Sequence, residues 1–220
     1  TTMVGGIVFF DAVIKIAKDA ILRNHENRQA ELRRLREQLN PHFLFNTLNN
    51  LYGLAVQKSD QLPPLMLKLS DLLRYSLYET RDGAVPLSHE LDYIRNYISL
   101  EAIRLADRAK IDTSIEEPAG DYRIAPLLLI VLVENCFKHL DAEAGQAPFV
   151  RVSIGMRGNT LHLHTLNSKR SGTPPPATRI GGIGLKNARK RLQMLYPNRH
   201  QLDIEEREDR FDVLLKIQLG

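Results

Sequence analysis

The sequence predicts an α+β protein, in which an all-helical first half precedes a sandwich of helices on a mostly antiparallel sheet. Two observations lead to this prediction. Up to about residue 105, leucine and isoleucine recur at helical spacing, whereas after Asp107 short runs alternate between apolar and polar side chains, as strands do. With 220 residues, of which 43% are hydrophobic, the chain is long enough to bury one or two cores.

One long helix is predicted from about residue 12 to residue 57, as a coiled coil with a partly polar seam. Its apolar residues have coiled-coil spacing: Ile14, Ala17, Ile21, Leu32, Leu35 and Leu39. Pro41 has no N–H to donate, and its ring crowds the carbonyl four residues earlier, so we expect a kink there. The kink would turn His42 and Asn46 from the seam to one flank of the helix.

A second helix is predicted from about residue 65 to residue 80, after a turn at residues 60–64 whose two prolines should stop the first helix. Its apolar stripe consists of Leu65, Leu69, Leu72, Leu73 and Leu77. We expect the two helices to form a hairpin, and two copies to form a four-helix bundle that covers the apolar faces. Ser88 is the expected N-cap of a third helix that runs to about residue 105.

The second half is predicted to alternate between strands and helices. Strands are expected at residues 110–116, 149–156, 160–167, 202–206 and 211–219, and helices at residues 126–139 and 185–196. Residues 157–159 are typical of a hairpin turn, and residues 167–180, with three consecutive prolines, are typical of a flexible loop.

Composition limits the classes of function. The net charge is +4, but the basic runs at residues 33–36 and 186–191 lack the aromatic spacing of a nucleic-acid reader, so we expect no direct nucleic-acid binding. The single cysteine, Cys136, is expected in a core and in a reducing compartment. No apolar run is long enough to span a bilayer. The apolar residues 4–10 are interpreted as the end of a missing membrane or sensor segment.

Two polar clusters have the chemistry of a phosphate site. In residues 134–139, the Asn135 amide could ligate Mg²⁺, Lys138 and His139 could offset phosphate charge, and Glu134 could orient or deprotonate a nucleophile. About fifty residues later, glycines at positions 181, 182 and 184 precede a helix N-terminus, where free N–H groups favour anions. Taken alone, the first cluster is better interpreted as a polar helix end, and the glycines are weak evidence because they also form ordinary turns.

His42 completes the pattern. A neutral imidazole is a nucleophile near neutral pH, and an amide one turn later, Asn46, can hold a phosphoryl oxygen. Residues 39–49, 134–139 and 182–192 together resemble the three signature stretches of the LytS-like sensor histidine kinases. Tyr97, Glu101 and Arg104 are similar to the linker helix of that family.

This resemblance covers about residues 31–220 and implies a domain order. Residues 1–30 would be a juxtamembrane signalling coil, residues 31–108 the dimerisation and phosphotransfer helices, and residues 109–220 a Bergerat-type (GHKL) ATP-binding domain. It also implies ATP and Mg²⁺ as cofactors. The partners would be a second copy of the chain and a response regulator, possibly one with a DNA-binding output domain. The chain would be the cytoplasmic portion of a bacterial inner-membrane protein.

The resemblance further implies roles for single residues. His42 would accept the phosphoryl group beside Asn46, Glu134 would be the catalytic carboxylate, and Asn135 would ligate Mg²⁺. The remaining nucleotide-binding residues would be Lys138, His139, Asn167, Gly182, Gly184, Leu185 and Asn187, with Gly182 and Gly184 as hinges of a lid over ATP.

Two positions depart from the common pattern of histidine kinases. Phe43 follows His42, where an acidic residue usually serves as the base, so Glu134 is the first candidate for that role and Glu37 the second. Asn167 stands where an aspartate usually binds adenine, which predicts weak ATP binding and poor discrimination against GTP. These departures keep open a dimeric scaffold that binds nucleotide without phosphotransfer. The basic pI suggests a third function, a nucleic-acid-binding helical protein.

Overall fold

The computed structural model describes residues 41–79, 83–170 and 183–220. Several predicted features therefore lie outside the described residues: the coiled coil and the helix phase before Pro41, Glu37, the loop at residues 171–180 and Gly182. The chain divides into two compact units, residues 1–45 and residues 46–220. Only residues 41–45 of the first unit are described, and the features below belong to the second unit unless stated otherwise.

Three helices form the first part of the described chain: α1 (Pro41–Val56), α2 (Leu62–Tyr78) and α3 (Leu87–Leu105). None of the helices within the described ranges is long and apolar enough to cross a membrane. The helix α2 packs on α3, with the ring centroids of Tyr75 and Tyr93 5.1 Å apart. The Lys68 ammonium also donates a 2.9 Å hydrogen bond to the Ser99 hydroxyl. Helices are confirmed at these positions, but within the described residues α1 does not pack along α2, so the predicted hairpin is not observed.

The starts of α2 and α3 differ from the prediction. The helix α2 begins at Leu62, so Pro63 and Pro64 lie in its first turn rather than in the preceding turn. The N–H groups of a first turn have no acceptor within the helix, and proline is therefore tolerated there. The predicted N-cap at Ser88 is wrong, because Pro86 is the N-cap of α3 and no side chain caps this helix.

A five-stranded sheet forms the second part. Its strands are β2 (Lys110–Ile115), β4 (Phe149–Arg157), β5 (Thr160–Ser168), β6 (His200–Glu206) and β7 (Arg210–Gln218). Their order is β2-β4-β5-β7-β6. The pair β2–β4 is parallel and the other pairs are antiparallel, which confirms the mostly antiparallel sheet. A separate two-stranded ladder of β1 (Val85–Pro86) and β3 (Arg123–Ile124) was not predicted.

Two helices, α4 (Ile130–Lys138) and α5 (Ile183–Leu195), pack against this sheet. Alternate residues of the strands are buried between the sheet and these two helices, as expected for a sheet with one covered face. The fully buried members of this core include Val152, Ile154, Leu163, Leu192, Val213, Leu215 and Ile217. The second part is thus a two-layer α/β sandwich, and the α+β class is confirmed.

The helix α4 starts four residues later than predicted. Leu127 has a φ of +52°, which lies in the left-handed region and cannot continue a right-handed helix. The N–H groups of Leu127 and Leu129 donate to the carboxylate of Glu90, over 2.9 and 3.1 Å. Glu90, a side chain of α3, therefore accepts hydrogen bonds from N–H groups that would have no acceptor in the first turn of a longer helix.

Candidate functional site

His42 lies in α1 with an exposed side chain. Asn46 follows it by four residues in the same helix and is half-buried, like Phe43. An exposed imidazole is accessible to a reaction partner, as a phosphate acceptor must be. The other predicted site residues that the structure describes all belong to the unit of residues 46–220.

One face of α4 carries most of the predicted polar groups. Val131, Glu134, Asn135 and Lys138 follow one another at helical spacing and share this face. Glu134 and Asn135 are half-buried, whereas Lys138 is exposed. The helix ends at His139, which is exposed and whose backbone N–H donates to the Asn135 carbonyl over 3.2 Å. The face therefore offers a carboxylate, an amide and a cation in succession.

A glycine brings the first turn of α5 close to this face. A Cβ atom placed on Gly184 would lie 3.5 Å from Cγ1 of Val131, in ordinary van der Waals contact. Leu185 is buried and anchors the turn, while Asn187 is exposed. The N–H groups of a first helical turn attract anions. The structure thus brings Gly184 and the Glu134–Asn135 face of α4 together, while Gly182 lies outside the described residues.

Asn167 lies near the end of β5 and is fully buried. Its side-chain N–H₂ donates to the carbonyl of Ser168 over 3.1 Å and to that of His139 over 3.4 Å. Carbonyls only accept hydrogen bonds, so these two contacts fix which way the amide points. The amide oxygen has no hydrogen-bond partner among the described residues. A buried acceptor without a partner is costly unless a ligand or water donates to it.

Cys136 separates Asn135 from Phe137 and points the other way, into the core. It is 1% exposed, and burial raises the pKa of its thiol to about 12. The thiol is therefore neutral near pH 7 and is neither a nucleophile nor a metal ligand in the folded protein. The prediction that Cys136 is a core residue is confirmed.

The helix α3 packs against α4. The ring of Tyr97 packs edge-on against Phe137, with centroids 5.7 Å apart. Burial raises the pKa of Tyr97, and the nearby charges of Glu101 and Glu134 raise it further. Glu101 itself is buried and accepts a 2.7 Å hydrogen bond from Arg104.

The sequence did not identify Glu90 as a site residue. Its carboxylate is fully buried in α3 and accepts hydrogen bonds from the Tyr75 hydroxyl and from two backbone N–H groups. Burial raises the pKa of Glu90, and these donors act in the opposite direction. A signal was present, because Glu90 lies on the same helical stripe as Leu87, Leu91 and Ile94.

Within the part of the chain that the structure describes, no group of three His, Cys, Asp or Glu side chains could hold a metal ion. Mg²⁺ does not need such a group, since it keeps several waters and usually takes one or two protein oxygens together with phosphate oxygens. The oxygen of the half-buried Asn135 amide fits that description.

Comparison with known proteins gives a consistent family. A family model described as histidine kinase matches residues 30–109. The sensor protein LytS of Bacillus subtilis is 30% identical over 197 residues, which covers 84% of this chain and 33% of LytS. LytS of Enterococcus faecalis is 28% identical over 179 residues, with 77% and 30% covered. The chain thus spans about a third of the length of these curated relatives.

One solved structure shows the same fold. The histidine kinase domain of the blue-light activated histidine kinase EL346 from Erythrobacter litoralis matches with a TM-score of 0.50. The match covers 85% of this chain and 94% of that chain, at 15% sequence identity. At so low an identity the similarity concerns the fold alone.

Proposed function

The chain belongs to the LytS-like sensor histidine kinases, and on that premise we propose that it transfers the γ-phosphoryl group of Mg-ATP to His42 and then to an aspartate of a response regulator. The observation that carries the proposal is the α4 face with Glu134 and Asn135, which lies beside the first turn of α5 at Gly184. Phosphoryl transfer depends mainly on positioning and on stabilisation of charge. The arrangement of α4 and α5 is suited to both positioning and charge stabilisation.

The residues of α4 and α5 fit a nucleotide with its metal. Asn135 would hold Mg²⁺, which would offset the negative charge of the phosphate oxygens. Lys138 and His139, exposed at the end of α4, would face the phosphates. Gly184, Leu185 and Asn187 would form the start of α5 at the phosphates, with Gly182 as the second hinge of the lid.

In the transfer step, a lone pair on the His42 imidazole forms a bond to the γ-phosphorus. The bond from that phosphorus to the β–γ bridging oxygen breaks, and its electron pair leaves with ADP. A base must then take the proton from the other ring nitrogen of His42. Phe43 has no basic group, so we assign this role to Glu134 first and to Glu37 second; Asn46 would hold a phosphoryl oxygen.

The coil, the partners and the domain order follow from the same proposal. Residues 1–30 would pass a signal from a membrane segment to residues 31–108, through a change of helix register. Residues 109–220 would form the Bergerat-type ATP-binding domain. The response regulator, possibly with a DNA-binding output domain, would receive the phosphoryl group at the cytoplasmic side of the inner membrane.

A homodimer is proposed from the exposed apolar side chains of α1 and α2. Leu48, Tyr52 and Val56 follow one another every four residues along α1 and are 54, 72 and 65% exposed. On α2, Met66 and Leu67 are exposed as well. A four-helix bundle of two chains would cover such faces. Light scattering should therefore give the mass of two chains, and the mass of one chain would contradict the bundle.

The structure changes the expectation for the nucleotide base. We propose that the Asn167 amide oxygen accepts a hydrogen bond from the exocyclic amine of adenine. The amide N–H₂ is already bonded to two carbonyls, so it has no donor to offer the carbonyl of guanine. The poor discrimination against GTP expected from the sequence therefore loses its basis, and we expect ATP to be preferred.

Replacing Asn167 by alanine tests this assignment. Loss of the acceptor should weaken ADP binding about tenfold, because an unpaired donor on the base costs roughly 1–3 kcal/mol. GDP binding should remain as weak as before, so the preference for adenine should disappear. Ser168→Ala is the matched control, because its neighbouring buried hydroxyl bonds the N–H of Phe149. Equal affinities of the wild type for ADP and GDP would contradict the assignment.

Incubation with γ-labelled ATP tests the function as a whole. Phosphohistidine is lost in acid and kept in base, so label with this behaviour supports the kinase. Nucleotide binding without any label would instead support the non-catalytic scaffold.

A further inference from the structure

Glu90 is the most deeply buried carboxylate that the proposed reaction does not use. It is 0% exposed, and its Oε2 accepts the Tyr75 hydroxyl over 2.7 Å and the Leu127 N–H over 2.9 Å. Its Oε1 accepts the Leu129 N–H over 3.1 Å. A buried carboxylate depends on such donors, since losing any of them leaves charge without compensation.

The donors come from two different elements. Tyr75 belongs to α2, whereas Leu127 and Leu129 belong to the segment of residues 125–129, here called the pre-α4 segment. One side chain of α3 therefore joins α2 to the start of the helix that carries Glu134 and Asn135.

The same pre-α4 segment is bound from its other side by α5 and the residue that follows it. The Arg191 guanidinium donates to the carbonyl of Pro126 over 2.7 Å and to that of Leu127 over 3.0 Å. The Tyr196 hydroxyl accepts the N–H of Ala125 over 2.8 Å. Since the segment also contains the left-handed Leu127, side chains rather than helical hydrogen bonds hold its conformation.

We propose that Glu90 is a positioning residue that ties α2, through Tyr75, to the start of α4 and so couples α2, which the proposed function assigns to the phosphotransfer helices, to the proposed nucleotide-binding helix. The proposal rests on the proposed function for the roles of α4 and of α2. The tie itself is made of hydrogen bonds within residues 46–220.

Two other hydrogen bonds join α2 to α3. The Ser76 hydroxyl donates to the Tyr93 hydroxyl over 3.2 Å, and Lys68 donates to Ser99. The acceptor oxygen of the Tyr75–Glu90 bond, by contrast, also accepts the Leu127 N–H of the pre-α4 segment. A hydrogen bond weakens steeply when its geometry is disturbed. A shift of α2 should therefore weaken the Tyr75–Glu90 hydrogen bond and, through the shared carboxylate, the bond from the Leu127 N–H.

Tyr75→Phe removes the hydroxyl that donates to Glu90 and keeps the ring that packs on Tyr93. Hydrogen exchange of the full 220-residue chain, without nucleotide, should then be about five- to tenfold faster at the Leu127 and Leu129 amides. The rates are divided by that of Leu163 in the core strand β5, so a general loss of stability cancels. Ser76→Ala removes a hydrogen bond between the same two helices and should leave both ratios unchanged.

Unchanged ratios in Tyr75→Phe, or equal increases in Ser76→Ala, would overturn the proposal. If Tyr75→Phe fails to fold, Glu90→Gln keeps the side-chain volume and is read at the same two amides, with an increase of more than about tenfold expected. An unchanged ratio in that variant would also overturn the proposal.

The kinetic consequence is measured separately. In Tyr75→Phe, the rate of His42 labelling at saturating ATP should fall several-fold while KM for ATP stays unchanged, because the nucleotide site itself is intact. Loosened amides with an unchanged labelling rate would show that the tie does not serve the reaction, which overturns the positioning role. A wild type that binds no nucleotide refutes the proposed function, whereas the exchange measurement still decides whether the tie exists.

Discussion

Replacing His42 by glutamine should reduce labelling by ATP to background, while affinity for ADP stays within about twofold of the wild type. Glutamine is similar in size but has no nucleophilic ring nitrogen, so no phosphoramidate can form. The residues of α4 and α5 that are proposed to bind the nucleotide belong to the other compact unit, and the substitution leaves them unchanged. Labelling by γ-labelled ATP and calorimetric titration with Mg-ADP give the two quantities.

His89→Gln is the matched control for this variant. His89 is an exposed histidine of α3 that pairs with Glu79 over 2.9 Å, and it has no role in the proposed reaction. Its replacement should leave labelling intact. Label retained by His42→Gln would move the acceptor to another residue and would refute the assignment of His42.

Replacing Asn135 by alanine should remove Mg²⁺-dependent nucleotide binding and labelling together. Loss of a residue that only orients a metal ligand typically costs about 10- to 100-fold in metal affinity, and loss of the ligand itself should cost at least as much; here the metal would be shared with the phosphates. We therefore expect ADP affinity to fall about 100-fold. Titrations with Mg²⁺ and with EDTA should differ strongly for the wild type and hardly at all for Asn135→Ala.

Asn96→Ala is the control for that measurement. Asn96 lies in α3 beside Tyr97, yet it is outside the proposed site. Its replacement should preserve the difference between Mg²⁺ and EDTA. A metal-dependent affinity that survives in Asn135→Ala would assign the metal ligand to another side chain.

Much of the fold was predictable, because periodicity is a local property of the chain. The five strands of the main sheet and the helices α2, α3 and α5 lie within a few residues of their predicted positions. The ladder of β1 and β3 was not predictable, since two residues are too few to show a period and each strand depends on its distant partner. The start of α4 was missed for a similar reason, as Glu90 sets it from 37 residues away.

The positions of the candidate site residues in the fold were predictable in part, whereas their roles stay predictions. Motifs indicated which side chains of α4 and α5 to consider, and the structure brings Gly184 against the α4 face that carries Glu134 and Asn135. The orientation of the Asn167 amide was not predictable, because it depends on the carbonyl of His139, 28 residues earlier. The hydrogen bonds of Glu90 likewise form only in the folded chain.

The reactivity of the buried Cys136 can report on the opening of α4. It is the single cysteine of the chain, it follows Asn135 directly, and it is 1% exposed, so a thiol reagent reaches it only when the fold around α4 opens. The alkylation rate of the native chain therefore reports openings of α4, the proposed nucleotide-binding helix, with no engineered label. Any ligand that holds α4 against the sheet should lower the alkylation rate of Cys136. The size of the decrease would measure how strongly the ligand stabilises α4 in its packed position.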